Sequence, residues 1–527
     1  MDRSKKAADD RSISGTDFLQ LDRDAAPAGG LTDWLAQQLR QAIADGRLPA
    51  GSRLPASRVL AGELRVSRGV VTEAYQRLAE DGQVTARGRA GTRVAVVPSL
   101  PASAAAAAPA GAPRPAAAPS SDSPFRGALG SGTFDSLRAA PSRIDLTPGV
   151  PDMAVFPRAA WLRAERAVMG SLSAASFSYG DPRGTPALRD AVASWLARNR
   201  GIAAAPEQVI IVGGVAQALS LLARVLNRSG LAAVAVEDPG SLGTRQQLQD
   251  WDLDTPPVTV DAGGLRIDEL RACGAPAVML TPAHQFPTGV VLDGARRREL
   301  RRWAQDGGLI IEDDYDAEHR YDRPPVPALR AALPDRVCYA GSVSKLLAPA
   351  LRIGWLLVPP AYHEDLVAAK RRADLGNAVL PQLVLADLMG SGELEHHLRL
   401  LRKRHVRRRD AMIAAIGTHL PGARIHGAAA GLHLTVTFDD LPSDTGTADT
   451  AIADAALDRG VKVQPLSWHS QRPQRPGLVL GYAASTPAQI ADGIAVVGQA
   501  LQATHGPELT AGKGSGPRGA AARSGPR

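Results

Sequence analysis

Cysteine is almost absent from this chain, with only Cys273 and Cys338 in 527 residues, 65 positions apart. That spacing suits neither a metal-binding pair nor a disulfide framework, so both read as buried small apolar residues and no metal site is expected. No stretch reaches the roughly 18 uninterrupted apolar residues of a membrane-spanning helix. The charged start MDRSKKAADDRS lacks the apolar segment of a signal peptide. A cytoplasmic protein with no membrane partner is the expectation. Lysine is scarce, seven against 54 arginines, so any lysine in an apolar setting stands out.

The hydrophobic fraction of 44% suits folded soluble domains, and the length exceeds what one compact domain holds. A formal charge of +8 is compatible with a nucleic-acid partner, and its distribution says more than its sum. Residues 31–97 carry ten arginines against six acidic residues, and residues 512–527 add four basic residues and no acidic one. Between about 98 and 143 the chain is nearly all Ala, Pro, Ser and Gly, which cannot bury a core and reads as a linker. Residues 1–28 and 504–527 read as disordered ends, the latter basic. Two folded parts are left, residues 29–97 and 144–503.

In the first part, apolar residues at Leu31, Trp34, Leu35, Leu39 and Ile43 predict a helix over 31–44, with Thr32 as N-cap. A second helix fits 57–64. A third begins after Ser67 and buries Val70, Val71, Ala74, Tyr75 and Leu78, leaving Arg68, Thr72, Gln76 and Arg77 outward. VTARGRAGTRVAVV then supplies two β-prone runs around a turn. Three helices and a wing make a winged helix-turn-helix, with Arg87, Arg89, Thr92 and Arg93 on the wing. A basic face is by itself more often solvated surface than an interface. The order of features decides otherwise: GRLPAGSRLPASRVLAGELRVSRGVVTEAYQRLAEDGQVTARGRAGTRV resembles the winged helix of GntR-type bacterial regulators. That resemblance implies DNA contacts at Ser57, Arg58, Ser67, Arg68, Thr72, Arg87 and Gly91, and Arg89 joins them on the wing.

The second part alternates short apolar runs (VIIV, AVAVE, AVMLT, GLIIE, IGWLLV) with helical stretches, which predicts an α/β domain with a mostly parallel sheet. LHLTVTF and KVQPL suggest a smaller C-terminal α+β subdomain. Lys345 lies in GSVSKLLAPALRIGW beside apolar runs. A desolvated lysine has a lowered pKa and can attack an aldehyde, and Ser342, Ser344 and Arg352 nearby suit a phosphate. Upstream, IIEDDYDAEHRY crowds acidic residues at a strand end. Asp313 is the candidate partner for a protonated ring nitrogen, whereas Glu312, Asp314 and Asp316 read as a solvated turn. VGGVAQALSLL is a glycine-rich turn into a helix, a natural phosphate cradle.

Taken in this order, with YGDPRGTPALRD, EDPG, TPAHQFPTG and SVSK, these segments resemble fold-type I pyridoxal-phosphate enzymes of the aspartate aminotransferase family. The tandem with a GntR-type head resembles the MocR subfamily of regulators. The resemblance implies pyridoxal 5′-phosphate held as an internal aldimine on Lys345, with Asp313 at the ring nitrogen and Tyr315 at the ring hydroxyl. It implies phosphate contacts from Val215 and Ala216 amides, Ser342, Ser344 and Arg352. His284 lies beside the ring or is structural, and Tyr179 reaches over from a second subunit of a head-to-tail homodimer. Double-stranded DNA with repeated half-sites would be the partner.

Two departures limit the likeness. Ser241 follows EDPG where many relatives carry an aromatic, and Val479 stands where aminotransferases carry the arginine for a substrate carboxylate. Arg472 and Arg475 are sequence-near substitutes, unless they are loop surface. The expectation is therefore a sensor of pyridoxal phosphate or of an amine lacking an ordinary amino-acid handle, rather than a working enzyme. The competing readings are an active aminotransferase and a DNA-binding protein with a purely structural large domain.

Overall fold

A computed structural model of the protein describes residues 23, 26–27, 30–45, 47–49, 51–80, 83–86, 91–94, 123–125, 129–130, 132–316, 318–321, 326–442 and 447–511. The chain divides into two units, Met1–Ala117 and Ala118–Arg527.

In the first unit, helices α1 (Leu31–Ala44), α2 (Ser57–Glu63) and α3 (Arg68–Glu80) precede strands β1 (Val84–Ala86) and β2 (Thr92–Val94). The strands pair antiparallel, Val84 opposite Val94. Leu35, Leu39, Leu60, Val71 and Leu78 are all at most 1% exposed and form the centre of this unit's core. Truncating one such residue to alanine costs about 2–5 kcal/mol, a large share of a small unit's stability. Helix α1 starts one residue earlier than its capping residue was expected: Gly30 is the N-cap and Thr32 sits inside the first turn. The cap of α3 is as expected, since Ser67 Oγ accepts from Val70 N–H at 3.4 Å. Arg87 and Arg89 lie outside the described residues.

The second unit is built on an eight-stranded sheet. Its strands are β3 (Ile210–Val212), β4 (Val234–Asp238), β5 (Pro257–Asp261), β6 (Gly264–Leu265), β7 (Ala277–Leu280), β8 (Leu309–Asp314), β9 (Val337–Ser342) and β10 (Gly354–Leu357). Their spatial order is β3-β10-β9-β8-β7-β4-β5-β6. The central run β9-β8-β7-β4-β5 is parallel, while β10 runs antiparallel to both its neighbours and β6 to β5. Apolar runs without alternation, such as VIIV and AVML, arise because helices cover both faces of a parallel sheet. Separate clusters around Ile210, Leu222 and Ile311 on one side, and around Leu196, Ile211 and Trp355 on another, show this double burial.

A four-stranded antiparallel sheet, β11 (Ala423–His426), β12 (His433–Phe438), β13 (Gln464–Pro465) and β14 (Gly477–Gly481), forms the smaller C-terminal part in the order β11-β12-β14-β13. The end of the stretch read as linker is ordered: residues Thr133–Ala139 form a helix, α4, whose Leu137 is buried against Leu242 and Trp468. The final helix runs Pro487–Ala511, so part of the tail read as disordered is helical. Cys338 is buried as expected, but Cys273 is exposed, because it ends a short helix just before Gly274 turns the chain.

Candidate functional site

Ligands of open α/β sheets bind outside the carboxyl ends of the parallel strands. A cavity of about 360 Å³ opens at those ends here. Among its lining residues are Lys345, Asp313, Tyr315, Ser342, Ser344, Arg352, Val215 and Ala216, eight of the ten cofactor positions read from sequence. They arrive from separate elements: β3 leads into Gly213 and Gly214, β8 ends at Asp314, and β9 ends at Ser342.

One wall is built for an anion. Gly214 caps the 14-residue helix α5 (Val215–Arg228) with φ +91°, and no side chain caps it. The first-turn amides of a helix, here including Val215 and Ala216, have no acceptor within the helix. The positive φ at Gly214 favours glycine, and a Cβ there would stand in ordinary contact, 3.4 Å, with the Arg352 guanidinium, which places that cation at the helix start. Arg352 itself adopts φ +52°. Ser344 N–H donates to Ser342 Oγ at 3.4 Å beside it.

The same cavity carries the amine and a carboxylate. Lys345 Nζ donates to the Gly149 carbonyl. Gly149 has φ +78°, and a Cβ there would lie 3.1 Å from Nζ, so glycine is again dictated. Burial pushes the Lys345 pKa down, while Asp316 and Asp313 oppose that shift. Burial, with repulsion from Asp314 and Asp316, raises the Asp313 carboxyl to about 7. Asp313 Oδ1 is buried with no hydrogen-bond partner. A buried, unmatched acceptor is costly by about 1–3 kcal/mol unless a ligand supplies a donor.

His284 does not line the cavity. It is 1% exposed behind Tyr315, with Tyr315 Oη and Asp316 Oδ2 at 3.0 and 2.9 Å from its Nδ1. His284, Asp316 and His433 offer ligand-type atoms within 4.8 Å of one another, a grouping that sequence spacing did not suggest. His433 Nε2 lies 3.0 Å from the Pro287 carbonyl. Tyr179 lies apart from the cavity and is 88% exposed.

The acidic run is not a solvated turn. Glu312, Asp314 and Asp316 are 1%, 6% and 1% exposed, and each has internal partners, although Asp314 Oδ1 has none of its own. Glu312 accepts from the Leu329 and Arg330 amides at 2.9 and 3.1 Å. Asp314 Oδ2 receives Arg200 Nε and Tyr339 Oη, each at 2.5 Å. Buried charges survive only when paired in this way.

Sequence reasoning missed Gly149, Phe134, Arg138, Phe286, His433 and His469, all of which line the cavity. Phe286 stood in the quoted TPAHQFPTG and His433 in LHLTVTF, read there only as a strand; the others carried no local signal. Ser241 lines the cavity and its Oγ caps the following helix, accepting from Thr244 N–H at 3.3 Å. Val479 is fully buried in β14. Neither sequence-near arginine replaces it. Arg472 bonds Thr259, Glu269 and the Pro257 carbonyl, and Arg475 pairs with Asp439.

In the first unit, Ser57, Arg58, Ser67, Arg68 and Thr72 are clustered at the starts of α2 and α3, with Arg58, Ser67, Arg68 and Thr72 exposed. Arg68 Nε donates to Ser57 Oγ at 3.4 Å, and Thr72 Oγ1 to the Arg68 carbonyl at 2.9 Å. Gly91 has φ +84°, and a Cβ there would meet the Arg53 guanidinium at 2.7 Å. Arg77, partly exposed, is engaged by Asp33 and Glu73 on the surface.

The profile of bacterial regulatory proteins of the gntR family matches residues 31–94, and that of aminotransferase class I and II matches residues 143–495. The chain is 32% identical over 483 residues to the probable rhizopine catabolism regulatory protein MocR of Rhizobium meliloti, covering 90% of this chain and 94% of that protein. It is 32% identical over 437 residues to the pyridoxine biosynthesis transcriptional regulator PdxR of Corynebacterium glutamicum, covering 82% and 87%. Among solved structures, the kynurenine aminotransferase of Pyrococcus horikoshii in complex with PMP superposes with a TM-score of 0.63 at 26% identity, over 70% of this chain and 93% of that one. A gntR-family head, an aminotransferase-like domain and this near-full-length similarity place the chain in the MocR subfamily of GntR-type transcriptional regulators.

Proposed function

We propose that this regulator binds operator DNA through α3 and the wing, and that its large domain binds pyridoxal 5′-phosphate and answers to that cofactor or to an amine meeting it. The observation that carries the reading is one cavity that joins a desolvated lysine amine, an unmatched buried carboxylate and an anion cradle. Bound, the cofactor supplies an aldehyde carbon that amines attack and a pyridinium that withdraws electrons from it. Arg352, Ser342, Ser344 and the Val215 and Ala216 amides fit the phosphate. Asp313 offers the acceptor for a ring N–H, and Tyr315, held by His284, offers a hydroxyl to the ring oxygen. Lys345 supplies an amine whose burial favours the neutral, nucleophilic form. Tyr179 is a large exposed aromatic, and a second copy of the chain in a homodimer accounts for it.

On the DNA side, the start of α3 presents Ser67, Arg68 and Thr72 for the major groove, as in other helix-turn-helix heads. Ser57, Arg58 and Gly91 flank it, and Arg87 and Arg89 belong to the wing proposed to touch backbone. Val479 leaves the usual carboxylate position apolar, which favours sensing over transamination.

Visible spectra of the purified protein with added pyridoxal phosphate, compared with Lys345→Ala, test the cofactor reading. A visible band absent from the variant, with hydride reduction fixing the cofactor mass on the peptide that contains Lys345, is expected. No band in either protein would leave a DNA-binding regulator with an unused scaffold.

A further inference from the structure

Resting on the cofactor reading, a second question is what kind of amine the cavity selects. Few of its lining residues carry positive charge. Lys345 and Arg352 are committed to the amine and phosphate positions. His433 and His469 are pushed down to about 4 and about 3 by burial and are neutral at physiological pH. Among the described residues, the remaining cation on the lining is Arg138, on helix α4.

Arg138 is poised rather than locked. Its side chain is 72% exposed, and its ion pair is with Asp135, itself 74% exposed, one turn back on the same helix. An exposed pair of that kind contributes little and exchanges readily for another anion. The helix beneath is fixed: Lys462 Nζ donates to the Arg138 carbonyl at 3.1 Å, Gln246 Nε2 to the Gly130 carbonyl at 2.9 Å, and Leu137 is buried. Phe134, on the same helix, brings an aromatic ring to the cavity wall beside Ser241, where the chain has no aromatic of its own. It stacks on His469 at 6.5 Å, and a Cβ on Gly243 would meet its ring at 3.6 Å.

We propose that α4 forms the effector-recognition wall of the pocket, with Arg138 binding an anionic group of a primary-amine effector and Phe134 lining the path of its carbon chain. Arg138 takes over, from a different element, the task that Val479 cannot perform. A guanidinium pairs with a carboxylate or sulfonate through two parallel hydrogen bonds, and an alkylamine without an acid leaves that donor set unused. Helix α4 is also the first helix described after the Ala/Pro-rich segment that leads from the head.

The test titrates cofactor-loaded protein with β-alanine, 4-aminobutyrate, 5-aminopentanoate and taurine, each against the alkylamine of matching length, and reads the visible spectrum. At least one acid-bearing amine should bind about tenfold or more tightly than its alkylamine partner. Arg138→Ala should reduce that preference to about twofold or less, and Arg138→Glu should invert it. A preference retained by both variants, or no preference in the wild type, overturns the proposal. A wild-type protein with no visible band before any amine is added fails earlier, at the cofactor reading, and takes this proposal with it.

Discussion

Asparagine at position 313 should stabilise the cofactor-free protein and weaken the cofactor-bound one, and the two effects should separate by pH. In the folded chain the Asp313 carboxyl is raised from its ordinary 3.8 to about 7, chiefly by burial and then by Asp314 and Asp316. Between those values the folded state keeps a proton that the unfolded chain has lost, so stability falls as pH rises through the window. At 1.36 kcal/mol per pH unit the full cost above pH 7 is about 4 kcal/mol, and water in the adjoining cavity reduces it to roughly 1–3 kcal/mol. Asp313→Asn removes the ionisation while keeping the shape. Glu237 and Glu312 are also raised to about 7 and are shared by both proteins; Glu312 drops out of the difference, while Glu237, which repels Asp313, adds to the same alkaline-side loss in the wild type. Urea unfolding of the cofactor-free proteins from pH 5 to pH 8 should show the variant gaining on the wild type by roughly 1–3 kcal/mol at the alkaline end. With pyridoxal phosphate added, the sign should reverse, because the amide cannot supply a charged acceptor to a ring N–H, and loading should weaken about tenfold or more. A stability difference that does not change with pH would refute the reasoning.

Gly149→Ala meets both a φ of +78° and the Lys345 Nζ at 3.1 Å. Strain of about 1–3 kcal/mol and a reduced visible band are expected, checked by thermal unfolding and cofactor titration; unchanged loading would show that Lys345 does not need that approach. Arg68→Ala should abolish specific operator binding in a gel-shift assay while the visible spectrum stays as in the wild type, and loss of both together would contradict two separately folded units. Arg200→Met leaves Asp314 buried at 6% exposure without its cation, and a loss of about 3–5 kcal/mol in denaturant unfolding is expected. A loss under 1 kcal/mol would mean that Tyr339 alone satisfies that carboxylate.

Much of the cavity lining was legible because its parts are local: a glycine turn before a helix, a lysine after a strand, and an acid at a strand end are read within a few residues each. The same locality misled the reading of IIEDDYDAEHRY. Polar density suggested solvent for Glu312, Asp314 and Asp316, yet Arg200 lies 114 positions before Asp314 and the Leu329 amide 17 after Glu312. Their partners appear only when the sheet closes. His284 shows the same limit: the motif brought it near the ring, but its place behind Tyr315 depends on Asp316 and on close packing against Gly289 and Gly431.

The sequence by itself determined the winged helix, the alternating α/β order and most of the residues that meet in the large domain's cavity, because period and turn chemistry act over short distances. Only the tertiary structure decided which charges are buried, that Arg472 and Arg475 are spent elsewhere, and that a helix from the supposed linker carries Phe134 and Arg138 to the pocket. Burial and long-range pairing are properties of the packed chain, and no window of sequence contains both partners.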